Sequence, residues 1–170
     1  MSRQIPIVRN NKFFSEEDFQ LEQAFGREYM HDINQTAILY RVNRQLTNND
    51  SLYGEAGKDQ IKFYPPVEIE CIANIAEPEN KSYNPNGSLS YQESGNLTLN
   101  IFQQHLDELA LDVLRGDYFG YVIDETTIKY FTVTDEGKSN YNNGQMIGGY
   151  KSAYRTVICV PTDANEFRGM

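Results

Sequence analysis

Residues 112–133 read DVLRGDYFGYVIDETTIKYFTV, and this stretch decides the fold class. Arg115-Gly116-Asp117 is a turn signal. Tyr118-Phe119-Gly120-Tyr121-Val122-Ile123 is rich in aromatic and β-branched residues, Asp124-Glu125-Thr126 breaks the run, and Thr127 to Val133 resumes it. Two apolar runs divided by a short polar tip predict a β-hairpin. In the second run Ile128, Tyr130 and Thr132 fall on one side, and Lys129, Phe131 and Val133 on the other. Neither side is wholly polar, which predicts cover on both faces.

The same alternation recurs outward from the hairpin. Val67-Glu68-Ile69-Glu70-Cys71-Ile72-Ala73-Asn74-Ile75 places Val67, Ile69, Cys71, Ala73 and Ile75 on an inward face, with Glu68, Glu70 and Asn74 outward. Thr36–Val42, Asn96–Phe102 and Tyr154–Val160 also predict strands, the last ended by Pro161. A short strand ends at Lys62-Phe63-Tyr64, where Pro65-Pro66 breaks the ladder. Two helices interrupt the strands. Ser15 can cap a helix whose acidic first turn, Glu16-Glu17-Asp18, suits the helix dipole. This helix is expected to reach Tyr29 or Met30, with Phe19, Phe25, Tyr29 and Met30 only loosely on one face and Gly26 weakening it. A second, short helix is expected from Gln103 to about Leu111. The fold class is therefore mainly β: a small barrel or sandwich with one N-terminal helix, a short second helix, and long loops and arms.

A chain of 170 residues suits one domain. Residues 1–14 read as an extended N-terminal arm, and 15–170 as a single β-rich domain with loop excursions at 46–60, 77–95 and 135–149. The first excursion carries Leu52-Tyr53 at its centre. It reads either as a connector with one residue tucked down or as a contact loop, since Tyr beside Gly is a common interface device. The second carries Asn86-Gly87, a type I′ turn signal, with Leu89 and Tyr91 alternating after it, which predicts a projecting hairpin. The third is polar and carries Tyr141 and Asn143. Leu52, Tyr53, Asn86, Gly87, Tyr91, Tyr141 and Asn143 are the candidate interface or channel residues.

The formal charge is −9, whereas a protein that coats DNA on its own is expected to be basic. Twelve tyrosines and no tryptophan suit strand surfaces and protein interfaces. Cys71 and Cys159 lie in apolar strand-like runs and read as small core hydrophobes rather than a disulfide. The segment MSRQIPIVRNNKFF has no apolar stretch of signal-peptide length, and no window approaches a membrane span, so cytoplasmic synthesis and no membrane partner are expected.

No constellation points to catalysis, a cofactor or a metal. His31 and His105 have no neighbours at metal-ligand spacing, and each reads as a surface or helix-end histidine. Neither a phosphate-binding loop nor a dinucleotide fingerprint is present. Asp135-Glu136-Gly137-Lys138-Ser139-Asn140 lacks the alternating carboxylates of a calcium loop and reads as a solvated hairpin tip. Glu68 and Glu70 read as a solvated edge, and Arg115-Gly116-Asp117 as a turn rather than an integrin-type tripeptide.

The order of these features resembles the neck, or head-closure, proteins of tailed bacteriophages. Asp50-Ser51-Leu52-Tyr53-Gly54-Glu55 resembles a D-x-L-Y-G-E segment of such virion proteins, and Phe63-Tyr64-Pro65-Pro66-Val67-Glu68-Ile69 follows as the lead-in to a strand. Arg115-Gly116-Asp117-Tyr118 with Tyr130-Phe131-Thr132-Val133 resembles the hairpin of head–tail joining proteins. The resemblance spans roughly residues 36–161 and rests on structural rather than catalytic residues. It implies a non-enzymatic virion protein, assembled in the host cytoplasm as a ring, commonly a hexamer or dodecamer. The ring would sit between a portal or adaptor protein and a tail terminator or other tail protein. It would close the capsid, offer the tail a docking surface, and let genomic DNA pass without sequence-specific binding. Negative charge suits such a channel, and the 77–95 excursion is the first choice for a channel-facing element. A β-rich tail or baseplate module that contacts glycan or another virion protein is the alternative expectation.

Overall fold

A computed structural model describes residues 15–47, 61–76, 95–124, 126–138, 150 and 152–162. The N-terminal arm, residues 1–14, lies outside them. Helix α1 spans Glu16–Ile33. Its start is fixed by a reciprocal cap: the Asp18 amide donates to Ser15 Oγ at 3.2 Å, and the Ser15 amide donates to Asp18 Oδ2 at 2.8 Å. These bonds hold the Asp18 carboxyl below its ordinary range. The helix runs a turn beyond the expected end. Asn34 stops it by adopting the left-handed conformation (φ 51°) while its N–H still reaches Met30 O. Gly26, expected only to weaken the helix, is where α1 meets the barrel. A Cβ there would stand 2.7 Å from the Tyr154 hydroxyl and 3.2 Å from the Phe102 ring.

Six strands follow: β1 (Thr36–Tyr40), β2 (Val67–Ile75), β3 (Leu97–Phe102), β4 (Tyr118–Asp124), β5 (Thr127–Asp135) and β6 (Tyr154–Pro161), with helix α2 (Gln103–Glu108) between β3 and β4. All neighbours are antiparallel and the sheet closes in the order β1-β2-β3-β6-β5-β4. The fold is thus mainly β and a barrel, which resolves the barrel-or-sandwich alternative. The hairpin at 112–133 is β4–β5, in register from Tyr118 opposite Thr132 to Val122 opposite Ile128. Near residue 63 only an isolated bridge between Val42 and Phe63 forms, because Pro65 and Pro66 supply no amide to extend it.

The inward residues follow the period of two. Leu39, Ile69, Cys71, Leu97, Leu99, Ile101, Phe119, Phe131, Val133, Val157 and Cys159 fill the interior, and Leu106 of α2 and Val113 join the same core. Cys71 and Cys159 are both free thiols. Burial pushes each thiol up to about 12, so neither forms a reactive thiolate at neutral pH. The interior is packed with side chains and is not a pore.

Two buried polar groups tie the ends of strands together. Asp117, 1% exposed, accepts from the Leu114 amide at 2.9 Å and from the Val42 amide at 3.0 Å. It thereby links the turn before β4 to the chain leaving β1. Burial pushes its carboxyl up, while those two amides and the charges of Arg41 and Arg44 oppose the rise. Arg155, also 1% exposed, donates to Asp112 Oδ1 at 2.7 Å and to the carbonyls of Val113 and Glu136. Lys138 Nζ lies 2.9 Å from the other Asp112 oxygen. Burial would raise Asp112, but the bonds and charges of Arg155 and Lys138 outweigh it and leave the carboxyl below its ordinary range. The start of the 135–149 excursion is therefore packed rather than solvated. Asp135 completes β5, and Gly137 is buried against the backbone of Thr156.

Gly116 (φ +85°) and Gly137 (φ +69°) share a left-handed backbone but differ in surroundings. A Cβ on Gly116 meets nothing within 4 Å, whereas one on Gly137 would lie 2.0 Å from the Thr156 carbonyl oxygen. Urea denaturation is expected to show Gly116→Ala losing about 1–2 kcal/mol, the cost of the left-handed conformation alone. Gly137→Ala should lose at least about 2 kcal/mol more. Equal losses would contradict this packing.

Candidate functional site

All seven sequence candidates, Leu52, Tyr53, Asn86, Gly87, Tyr91, Tyr141 and Asn143, lie outside the described residues. What the structure supplies is where their segments attach. β1 ends and β2 begins at the α2 end of the barrel, where β5 also ends and β6 begins. The segments holding Leu52-Tyr53 and Tyr141/Asn143 are therefore anchored at one common end. The segment holding Asn86-Gly87 and Tyr91 joins β2 to β3 at the opposite end. There the Ala76 amide donates to Asn96 O at 2.9 Å and pins its two ends together. The attachment points of these three segments thus fall at two opposite ends of the barrel.

Two groups on the barrel wall went unrecognised in the sequence. The first is a charge cluster where α1 and α2 meet β2. Arg27 Nη1 lies 2.8 Å from Glu70 Oε2, and Arg27 Nη2 lies 3.3 Å from Glu108 Oε2. His31 Nδ1 is 3.6 Å from Glu70 Oε1. Glu70 is thus the anchor for α1, not a solvated edge like its neighbour Glu68. His31 is exposed, as expected, but His105 is buried. The His105 Nε2 accepts from the Glu70 amide at 3.3 Å, which places the ring proton on Nδ1, where it has no partner. The Gln103 Oε1 is likewise buried and unbonded. The basic nitrogen of His105 is occupied by backbone and the Glu70 and Glu108 carboxylates are held by Arg27, so the cluster locks α1 and α2 to the wall. Among the described residues, no three His, Cys, Asp or Glu side chains converge on a metal position.

The second group is an aromatic groove of about 350 Å³ between α1 and the start of β6, lined by Phe19, Phe25, Tyr29, Tyr150 and Tyr154 with Glu22, Gln23 and Ser152. Phe19 stacks on Tyr150 with centroids 4.2 Å apart. The apolar residues of α1 form two stripes rather than one loose one. Phe19 and Met30 are buried against the barrel, whereas Leu21, Phe25 and Tyr29 are 55%, 61% and 58% exposed. The spacing 21, 25, 29 is a helical i, i+4, i+8 series and was the signal available in the sequence. On the other side of the wall, Tyr40 and Tyr118 form a second cluster with Ile38, Val42, Phe63 and Tyr130, outside the barrel interior. This partly meets the expectation that both faces of the hairpin are covered: Tyr130 packs edge-on to Tyr40 at 5.9 Å, while Ile128 stays exposed.

No family model matches this chain, and no curated protein or solved structure matches it. No helix among the described residues is long and apolar enough to cross a membrane.

Burial and the Arg27 charge lower the affinity of His105 for a proton, with Glu70 and Glu108 opposing. An unfolded histidine protonates near 6.5, and the folded ring protonates only at lower pH. Stability is therefore full above that value and declines as pH falls below it, until the folded ring also titrates. Thermal denaturation between pH 7.5 and 5 should show this decline, with a shallower slope in His105→Gln. An unchanged slope in the variant would contradict a neutral buried imidazole.

Proposed function

We propose that this chain is a structural subunit of the neck of a tailed bacteriophage. It would form a ring between portal and tail, close the capsid and present a docking surface to the tail. The observation that carries the reading is the closed barrel, whose wall is built from segments that bear the resemblance. Phe63–Ile69 lead into β2, Asp117-Tyr118 open β4, and Tyr130–Val133 lie in β5. Excursions anchored at both barrel ends suit a subunit with different neighbours above and below. Because the barrel interior is filled, a DNA channel in this reading runs between copies and not through a barrel. The net charge of −9 suits a channel wall that DNA does not adhere to. The subunit acts by assembly, without chemistry of its own.

Native mass of the purified chain, measured with and without a portal-type partner, tests this. A ring, or a monomer that becomes a ring on that partner, is the expected result. A stable monomer that ignores virion proteins and binds glycan would overturn the neck reading in favour of a tail or baseplate binding module. For the channel-facing assignment of the 77–95 excursion, a chain lacking residues 80–92 is expected to give particles that leak DNA. Full, infectious particles would contradict that assignment.

A further inference from the structure

The exposed stripe of α1 is chemically one-sided. On a helix of 3.6 residues per turn, Leu21, Phe25 and Tyr29 fall within about 80° of one another. Glu17, Asp18, Glu22, Glu28 and Asp32 are exposed and lie between or beside them. The one arginine of α1, Arg27, is turned away and held by Glu70 and Glu108. The result is an apolar ridge framed only by carboxylates.

The outer surface around the β1/β4 junction has the opposite character. Residues 41–47 and 61–66 carry Arg41, Arg44 and Lys62 and no carboxylate. Arg115 adds a fourth cation, its carbonyl bound by Arg44 at 2.8 Å. Arg44, Lys62 and Arg115 are exposed. Between these cations Leu46 is 68% and Tyr64 41% exposed, with the Arg41 guanidinium 5.4 Å from the centre of the Tyr64 ring. Among the described residues of these segments the exposed charges are all cations, while the carboxylates that bond to them, Asp117 and Glu136, are buried or half-buried and accept the Val42 and Arg115 amides.

Position completes the argument. α1 packs on β2 and β3, and its groove reaches β6. In the strand order of the closed barrel, the β3/β6 and β1/β4 junctions lie on opposite sides of the wall. We propose that the acidic–apolar ridge of α1 docks on the basic–apolar β1/β4 face of a second copy of this chain, in a head-to-tail contact. Two different faces on opposite sides leave one free on each end copy. Such contacts either close into a ring or extend as a filament. The pairing rests on the surfaces themselves, and only closure into a ring rests on the neck reading.

Charge reversal tests the contact. One variant carries Glu28→Lys and Asp32→Lys on α1. The other carries Lys62→Glu and Arg115→Glu on the opposite face. All four residues are exposed, so both variants are expected to fold with wild-type circular dichroism. Wild type should self-associate in mass photometry, and each variant alone should dissociate at least tenfold more readily. Mixed in equal amounts, the two should reassemble, because each reversed face then meets an opposite partner. Phe25→Ser should weaken wild-type association similarly. Association unchanged by either reversal would overturn the contact while leaving a ring built through other surfaces. A wild type that is monomeric at about 100 µM would also overturn it. Ring formation on a portal-type partner would, in that case, keep the neck reading alive.

Discussion

The structure depends on closure of the sheet where β1 meets β4. Five of the six strand neighbours are joined over four or more register positions, but this seam has only three: Ile38 opposite Gly120, Leu39 opposite Phe119, and Tyr40 opposite Tyr118. An open edge would leave unpaired amides and carbonyls on both strands. Asp117 compensates for the short seam by accepting the Val42 amide just beyond β1 and the Leu114 amide just before β4. Gly120 permits the approach, since a Cβ there would stand 3.1 Å from the Tyr40 ring and 3.3 Å from Ile128. On the outside, Tyr40 and Tyr118 pack with Phe63, whose ring meets each edge-on. The seam is thus held by a buried carboxylate within the turn and by aromatic cover outside it.

The same logic explains why the buried charges are tolerated. Arg155 enters the barrel end from β6, where its guanidinium satisfies two carbonyls and one carboxylate of chain segments that belong to no strand. A hydrophobic side chain there would leave the Val113 carbonyl buried without this donor. α2 is less completely satisfied, with Gln103 Oε1 and His105 Nδ1 unbonded. The barrel end it covers combines a tightly bonded side, around Arg155, with a polar and pH-sensitive one, around His105.

Much of the fold was legible in the sequence because alternation is a local signal. β2 has the expected bounds, and the expected hairpin at 112–133 sits in the wall as β4–β5. Ser15 and Asp18 announced α1 by their spacing. What escaped depends on contacts distant in sequence. Asp117 read as a turn residue because its partner Val42 lies 75 positions away. Arg155 sat in a strand pattern that gave no hint of burial, and Glu70 looked solvated because Arg27 arrives from α1. The four apolar positions of α1 blurred into one loose stripe because Leu21 was left out. Including it separates the face on the barrel from the face turned outward. The candidate loop residues at 52–53, 86–91 and 141–143 rest on turn and composition signals, and the described structure bears on where their segments attach.

In the proposed reading, a closed barrel with two unlike outer faces serves as an assembly unit. Its interior is filled by side chains, and among the described residues it exposes an acidic ridge on α1 and a group of cations beside the β1/β4 junction. Single-particle reconstruction of the assembled chain tests this most directly. The account predicts a closed ring in which α1 of each copy lies against the β1/β4 face of the next, around a central channel. Copies related by a two-fold axis through identical faces, or dispersed single barrels, would contradict it.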